Sequence, residues 1–273
     1  MHIFKDESFR NRPIGTALDY TWAALSANWK NSAIVAAILL LLMLFQIIPI
    51  LGIVAGVLQS IIFYALAYWA VENIIKSSNI ENFKEQIQNA NVKDMLFSFL
   101  APASGFYLGF IIISVIFIAA TALIFWLTGG GAIFSMMQEQ MGNSSMAPEQ
   151  AMIFYTQILG MGTPAILFFI IAITFFGYIW PLVYGYALMQ RSFSDALNAL
   201  FMLFSTRFWR AAFTMKYLKI VSLWMLILFG AMIVAGICAS LFILIPVAVL
   251  ILLWLTYFSA IVSAEVYNLY DDI

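Results

Sequence analysis

Few side chains in this sequence are of the types that carry out chemistry. His2 is the only histidine in the 273 residues, so imidazole-based catalysis and histidine metal ligation lack a second group. Acid–base catalysis would need paired carboxylates, but Glu72 and Glu265 stand in separate apolar stretches, each near an end where water is within reach. We therefore predict no catalytic residue, no metal site and no cofactor, and a protein that is not an enzyme.

Methionine, a potential ligand of soft metal ions, clusters in one segment of the chain. Six methionines fall in the segment 129–162: Met136, Met137, Met141, Met146, Met152 and Met161. Thioethers bind cuprous copper, but the spacing is irregular and no histidine or cysteine stands nearby. The pattern favours a short amphipathic helix over 147–159 on the outer membrane surface, with methionine as an adaptable contact surface.

Two glutamines flank a predicted turn in the first third of the chain. Gln46 precedes Pro49 and Gln59 follows it, so their side chains are expected to hydrogen-bond across the turn. Such polar pairs stabilise helix bundles in membranes. We favour this structural role over contact with a substrate.

Small residues and one proline indicate where helices pack closely. Gly52 with Gly56, and Gly105 with Gly109, have the spacing that lets two helix backbones approach, for internal packing first and homodimerisation second. Pro181 interrupts an apolar stretch and is expected to kink its helix. Ser114 and Thr174 are further polar residues that could face a cavity.

Composition places these residues in a membrane protein. The chain is 64% hydrophobic and 9% charged, against roughly 25% charged in soluble domains. A surface exposed to water would need more charged side chains than this chain has. The net charge of −1 gives no reason to expect a nucleic-acid partner.

The apolar stretches predict an all-α, polytopic transmembrane helical bundle. About 20 apolar residues are needed to cross a bilayer, and six stretches qualify within a single domain covering 1–273: 32–50, 52–75, 104–128, 163–189, 217–241 and 242–264. The first two stretches abut, as do the last two, so we expect three helical hairpins.

The distribution of basic residues predicts the orientation. With six spans, all 12 lysines and arginines fall on one side, and the connection 129–162 contains none. Positive residues in short loops remain cytoplasmic. Both termini are therefore predicted to be cytoplasmic.

Two amphipathic segments carry apolar stripes that suit a membrane surface. Leu18, Trp22, Leu25 and Trp29 share one face of a predicted helix over 15–30. The same spacing recurs in the segment 193–210: Leu197, Phe201, Phe204 and Phe208. Helices of this kind lie at the level of the lipid headgroups, so we predict two interfacial helices on the cytoplasmic side.

The two segments also indicate an internal repeat of an interfacial helix followed by two spans. Thr16 with Asp19, and Ser192 with Asp195, have the form of capping boxes that would start the two helices. A weaker third copy would begin near Phe83. The alternative is that amphipathic helices entering a membrane often share such spacing.

These features resemble a superfamily of bacterial six-helix inner-membrane proteins. The superfamily includes the YciC-type proteins and the membrane domain attached to some glycerophosphodiester phosphodiesterases. The resemblance rests on four segments: 17–31, 47–52, 192–210, and 264–270 with its acidic tail. It implies an architecture and a bacterial inner-membrane location. It implies no chemistry, because nothing in the chain corresponds to the phosphodiesterase catalytic domain.

The expected function depends on surfaces rather than on a reactive site. We expect a non-enzymatic scaffold or accessory protein acting through membrane lipids or through another membrane protein at 129–162. One alternative is a transporter or channel for an uncharged or amphipathic small molecule, with a water-filled cavity beside Gln59, Ser114 and Thr174. The weakest alternative is an intramembrane enzyme, because the spans have no charged groups in the central membrane layer. We also expect the acidic tail after Glu265 to form charge pairs with the basic loop 207–219.

Overall fold

The fold is described from a computed structural model. It describes residues 4–127, 131 and 148–271, without the side chains of 148–155, 157–159, 161, 162, 164–166, 242, 269 and 271. Most of the described residues are helical, and they form no strand. The prediction of an all-α helical bundle is confirmed.

The chain divides into two compact units. One unit comprises Met1–Phe110 and Tyr178–Ile273, and the other comprises Ile111–Gly177. All the cavities considered below lie within the first unit.

The first half of the chain forms seven described α-helices separated by short breaks. They are α1 (Ser8–Asn11), α2 (Pro13–Ser26), α3 (Trp29–Phe45), α4 (Pro49–Lys76), α5 (Ile80–Asn89), α6 (Val92–Phe97) and α7 (Leu100–Phe125). Prolines at the first turns of α2 and α4 fix the starts of those helices, because proline lacks the N–H that a first turn leaves unpaired.

The second half contains the longest helix and a broken segment. Its elements are α8 (Pro148–Leu188), α9 (Phe193–Asn198), a 3₁₀ helix (Ala199–Phe204), α10 (Thr206–Ala212), α11 (Met215–Ser240), a second 3₁₀ helix (Phe242–Leu244) and α12 (Ile245–Asp271).

Five helical stretches in the described part of the chain are long and apolar enough to cross a membrane. They lie at Pro49–Lys76, Val92–Phe125, Leu167–Leu188, Met215–Ser240 and Ile245–Asn268. A sixth span results if α2 and α3, which meet at 86°, are counted together. The protein is therefore a multi-pass membrane protein.

The bend between α2 and α3 is held by two asparagines. The Asn28 side chain accepts a hydrogen bond from the Asn31 N–H at 3.3 Å, which caps α3. The Asn28 amide also donates to the Ile87 carbonyl at 3.2 Å, and the Asn31 amide donates to the Ala90 carbonyl at 2.7 Å. The corner is thus tied to the end of α5, and α2 lies nearly perpendicular to α3.

Helix α12 is the centre of the first unit. It packs against α2, α3, α4 and α11, and its second half is almost continuously buried. The predicted pairing of the last two spans is confirmed, since α11 and α12 pack together after a short turn. Helices α3 and α4 pack in the same way.

Several predicted boundaries differ from the structure. The first span ends at Phe45 rather than residue 50, because Pro49 begins α4. The separate short helix predicted over 147–159 is wrong, since α8 runs without a break from Pro148 to Leu188.

The two predicted interfacial helices have different outcomes. The first ends at Ser26, so that Trp29 belongs to α3. The second is wrong as a single helix over 193–210, because a 3₁₀ segment and a break at Ser205 interrupt it.

The two predicted capping boxes also differ. Ser192 caps α9 by accepting the Asp195 N–H at 3.1 Å, as predicted. Thr16 caps nothing, because α2 already begins at Pro13. Asp19 instead forms an ion pair with Arg12 at 2.7 Å.

Candidate functional site

The main candidate site is an apolar groove beside the α2–α3 corner. Its volume is about 680 Å³ and it is bounded by α2, α3, α11 and α12. Its lining is almost entirely hydrocarbon and indole: Trp22, Leu25, Ser26, Trp29, Ser32, Ala33, Ala231, Val234, Val247, Leu250, Ile251 and Trp254. We call the groove formed by these residues the lipid-facing groove.

The two serines of the lipid-facing groove leave it without a free hydroxyl proton. The Ser26 hydroxyl donates to the Trp22 carbonyl at 2.7 Å, and the Ser32 hydroxyl donates to the Leu25 carbonyl at 3.0 Å. Ser26 thus bonds within its own helix α2, whereas Ser32 bonds from α3 across the corner to α2, and neither hydroxyl proton is left for a ligand. The groove therefore suits a hydrocarbon chain rather than a polar molecule.

Tryptophans stand along the lipid-facing groove on both of its sides. Trp22 and Trp29 are 62% and 66% exposed, and the Trp22 ring lies 6.5 Å from the Trp254 ring, centroid to centroid. Three of the four residues predicted as the first set of interfacial anchors thus form one wall, while Leu18 is half-buried outside it.

The second set of predicted anchors is split by the break at Ser205. Phe201 and Phe204 are exposed, at 65% and 82%, as membrane anchors would be. Leu197 is half-buried. The prediction for Phe208 is wrong, because its side chain is fully buried after the chain changes direction into α10.

The predicted glutamine pair joins α4 to the turn before it. The Gln46 amide donates to the Gln59 side-chain carbonyl, as predicted, and Gln59 is buried. The Gln46 amide and the Gln59 carbonyl are therefore paired with each other rather than free to contact a transported molecule. Gln59 does not line any of the cavities described here.

Three of the four predicted glycines stand where a methyl group has no room. A Cβ at Gly52 would lie 2.6 Å from the Gln46 carbonyl oxygen, and a Cβ at Gly105 would lie 2.1 Å from that of Phe193. At Gly109 it would lie 3.0 Å from the Leu197 carbonyl oxygen. Gly56 has more space, with its nearest neighbour at 4.0 Å. These positions serve internal packing.

The remaining predicted cavity residues have local roles. Thr174 is exposed and its hydroxyl donates to the Ile170 carbonyl at 2.8 Å, while Ser114 is half-buried. Pro181 is buried inside α8, which continues through it.

Basic side chains from separate segments come together at the helix ends of the first unit. Arg12 and Lys219 line a shared cavity of about 330 Å³ with the start of α2. Glu72 pairs with Lys76 at 3.0 Å and with Arg191, which follows α8.

The Arg207 guanidinium lies 4.8 Å above the centre of the Tyr270 ring. The end of the chain therefore meets the basic loop 207–219 through a cation–π contact. The expected charge pairing of the acidic tail stays a prediction, because the side chains of Asp271 and Asp272 lie outside the described part of the chain.

One carboxylate has a different environment from the one predicted. Glu265 does not reach water, because it is only 1% exposed within the second half of α12. The Asn268 amide donates to its Oε2 at 3.0 Å. Glu72 remains partly accessible, with its side chain 17% exposed.

The amino-terminal segment packs onto α2 through a carboxylate. The Asp6 carboxylate accepts hydrogen bonds from the Ser8 N–H at 2.9 Å and the Tyr20 hydroxyl at 2.8 Å. Burial favours the neutral acid, but the hydrogen bonds from Ser8 and Tyr20 outweigh it and lower the pKa of Asp6. Burial first, and then the hydrogen bond to Asp6, raise the pKa of Tyr20.

No described residues form a group of three or more histidine, cysteine, aspartate or glutamate side chains that could hold a metal ion. Met136, Met137, Met141 and Met146 lie outside the described residues, as do the side chains of Met152 and Met161. The copper alternative and the protein-binding surface at 129–162 therefore remain predictions.

Comparison with known proteins gives no family assignment. The chain matches no protein-family model, no curated protein and no solved structure.

Proposed function

We propose that the protein is a non-enzymatic accessory or scaffold protein of the bacterial inner membrane that acts through bound phospholipid. The observation that carries this proposal is the lipid-facing groove of about 680 Å³. Its apolar lining offers a place for a lipid and no group that could react with one.

The occupant we propose for the groove is a phospholipid acyl chain. In a bilayer, burial from water does not drive binding, because the surroundings are already hydrocarbon. An empty groove would nevertheless forfeit dispersion contacts along its walls. A flexible acyl chain fills such a space without placing any polar atom against Leu250, Ile251 or Val234.

The headgroup of that lipid is proposed to lie at the α2–α3 corner and to be anionic. Trp22 and Trp29 are the exposed aromatic side chains of the groove, and tryptophan is enriched at the level of the headgroups. Lys30 is exposed and directly follows Trp29. Basic residues near a membrane surface attract anionic lipid by about 1 kcal/mol each.

We propose that the end of the first unit carrying these cations faces the cytoplasm. The pairing of Glu72 with Lys76 and Arg191 and the shared cavity of Arg12 and Lys219 support this orientation, because they gather basic residues from four chain segments. Both termini would then be cytoplasmic, as the positive-inside rule predicts.

Membership of the six-helix inner-membrane superfamily, and an internal repeat, are parts of the same proposal. The perpendicular α2 followed by the paired α3 and α4 supports a unit made of a surface helix and a hairpin. The broken segment before α11 and α12 is the corresponding element of the second copy.

Filling the groove with side chains tests the proposal. Ala33 and Ala231 line the groove from opposite helices, so Ala33→Phe with Ala231→Phe should exclude the acyl chain. Ala37→Phe is the matched control, because Ala37 is exposed on α3 one turn from Ala33 and does not line the groove. We expect native mass spectrometry to show phospholipid retained by the wild type and the control but lost from the double variant.

Equal lipid retention by all three proteins would contradict the proposal. The preference for an anionic headgroup is tested separately from acyl-chain binding. For this purpose the protein is reconstituted in synthetic vesicles that contain phosphatidylglycerol or in vesicles of phosphatidylcholine alone. Retention of both lipids to the same extent would leave the groove as an acyl-chain site without a preference for anionic lipid.

Transport of an uncharged or amphipathic molecule is the second candidate. The predicted path beside Gln59, Ser114 and Thr174 has little support, since Gln59 is hydrogen-bonded to Gln46 and Thr174 to its own helix. A different cavity, lined by hydroxyl groups, is the observation that favours binding of such a molecule. Flux of a labelled neutral lipid across proteoliposomes would distinguish a transporter from a static binding protein.

A further inference from the structure

A second cavity lies among α4, α8, α11 and α12, apart from the lipid-facing groove. Its volume is about 300 Å³ and it shares no lining residue with the groove. Five residues with hydroxyl side chains line it: Ser60, Tyr64, Tyr184, Thr256 and Ser259. Phe63, Leu228, Met232, Leu252 and Leu255 complete the lining. We call this the hydroxyl pocket.

Two of the hydroxyl groups already donate hydrogen bonds to carbonyl oxygens of the protein. The Ser60 hydroxyl donates to the Gly56 carbonyl and the Thr256 hydroxyl donates to the Leu252 carbonyl, both at 2.9 Å. Ser259 is different, because its oxygen accepts a hydrogen bond from the Trp224 indole N–H at 3.2 Å. Its own proton remains available to a ligand.

The two tyrosine hydroxyls make no hydrogen bond to any described residue. Tyr184 is only 6% exposed, and its ring centroid lies 5.8 Å from that of Tyr64 and 5.5 Å from that of Phe106. These aromatic contacts hold the rings in place. A phenol removed from water without a hydrogen-bond partner costs free energy, so both hydroxyls are prepared to donate to a bound molecule.

We propose that the hydroxyl pocket binds the head of an uncharged lipid that presents carbonyl oxygens as hydrogen-bond acceptors. The pocket offers the protons of Tyr64, Tyr184 and Ser259, and a carbonyl oxygen accepts such protons without donating one. None of the lining residues is charged, so an ionised head would lose its hydration with no counter-charge. The apolar side chains of the pocket suit the hydrocarbon part of the same molecule.

Two classes of membrane lipid have this chemistry, namely diacylglycerols and isoprenoid quinones. Both are neutral, both enter sideways from the bilayer, and both carry carbonyl oxygens next to an apolar body. The site is independent of the proposed phospholipid groove, because the two sets of lining residues do not overlap.

The test uses the purified full chain in detergent with two probes, a short-chain diacylglycerol and a short-tailed quinone. Tyr64→Phe and Tyr184→Phe each remove one hydroxyl, and we expect each to weaken binding of the preferred probe by about fivefold to tenfold. Tyr107→Phe is the matched control, since Tyr107 lies 6.3 Å from the Tyr64 ring but does not line the pocket. Its affinity should equal that of the wild type.

Weaker binding by these variants can be distinguished from a loss of folding. Because neither tyrosine hydroxyl bonds to a described residue, both variants should retain the wild-type unfolding temperature without ligand. Binding of either probe, with the expected weakening, supports the site and identifies the lipid class. Failure of both probes to bind, or equal affinity in all four proteins, would overturn it and leave a cavity occupied by water or detergent.

The groove-filling double variant separates this inference from the proposed function. Ala33→Phe with Ala231→Phe should bind the neutral probe as the wild type does, even after it loses phospholipid. Loss of the neutral probe in that variant would contradict two separate sites.

Discussion

The Glu72 carboxylate near the end of α4 forms an ion pair with Arg191, the residue that follows the end of α8 and its short turn. Lys76 binds the other oxygen of the same carboxylate at 3.0 Å. One partly buried acid thus joins two helices that are more than a hundred residues apart in the chain. The pair also shows that these two helix ends lie at the same end of the first unit.

Replacing Arg191 should therefore destabilise the fold more than breaking a surface pair. Arg191→Gln leaves Glu72 with Lys76 alone, and we expect a loss of about 1–2 kcal/mol in the free energy of unfolding, between typical surface and buried pairs. Lys84→Gln, which breaks an exposed pair with Glu81 on α5, is the control and should cost less than about 0.5 kcal/mol. Thermal unfolding in detergent measures both, and equal effects would show that the Glu72 pair has no special role.

The glutamine pair at the first hairpin should behave as a single unit. Gln59→Leu leaves the Gln46 amide without its buried partner, at an expected cost of about 1 kcal/mol. Gln46→Leu in the same protein should restore most of that loss, because removing both partners of a buried hydrogen bond is nearly neutral. Unfolding of the single and double variants by added denaturing detergent gives the comparison, and additive losses would argue against a shared hydrogen bond.

Two glycines should be intolerant of the smallest side chain. A Cβ at Gly105 would lie 2.1 Å from the Phe193 carbonyl oxygen, and one at Gly185 would lie 2.0 Å from that of Ser263. Because both obstacles are backbone atoms, Gly→Ala at either position should destabilise by about 1–3 kcal/mol. Gly230 has nothing within 4 Å, so Gly230→Ala should be neutral or stabilising by up to about 1 kcal/mol. Tolerance at Gly105 and Gly185 would mean that the helices are not in close contact there.

Contacts between residues close in the sequence could be predicted, whereas contacts between helices distant in the sequence could not. The Gln46–Gln59 hydrogen bond was predicted because both residues flank one short turn. The burial of Glu265 and Phe208 was not, since each depends on helices distant in sequence. Gly185 and the hydroxyl pocket were missed for a related reason: Tyr64 and Tyr184 come together only once the rotation of α4 and α8 is known. In an apolar span, hydropathy does not indicate that rotation, because lipid and protein interior have similar polarity.

Local competition explains the two helix starts. Ser192 was correctly predicted as a cap because no stronger signal precedes it. Thr16 does not act as a cap, because Pro13 starts α2 one turn earlier and Thr16 is buried within the helix. No residue type predicts the break at Ser205. The regular apolar spacing of the segment 193–210 continues across that position.

The attachment of the amino-terminal segment should weaken in acid. Hydrogen bonds from Ser8 and Tyr20, opposed by burial, hold the pKa of Asp6 below its ordinary value of 3.8. A lowered folded-state pKa means that the contribution is complete well above pH 3.8 and is lost as the pH falls through and below it. Asp6→Asn should remove this part of the acid dependence, which hydrogen exchange of the α1 and α2 amides would detect. An unchanged acid dependence in Asp6→Asn would assign the effect to another carboxylate.

The most direct test of the lipid-facing groove is an experimental structure of the protein in a phospholipid nanodisc. We predict continuous acyl-chain density between Trp22, Trp29 and Trp254, with its headgroup beside Lys30. A groove that is empty, or closed by direct packing of α2 onto α12, would contradict the proposal that the protein acts through a bound phospholipid.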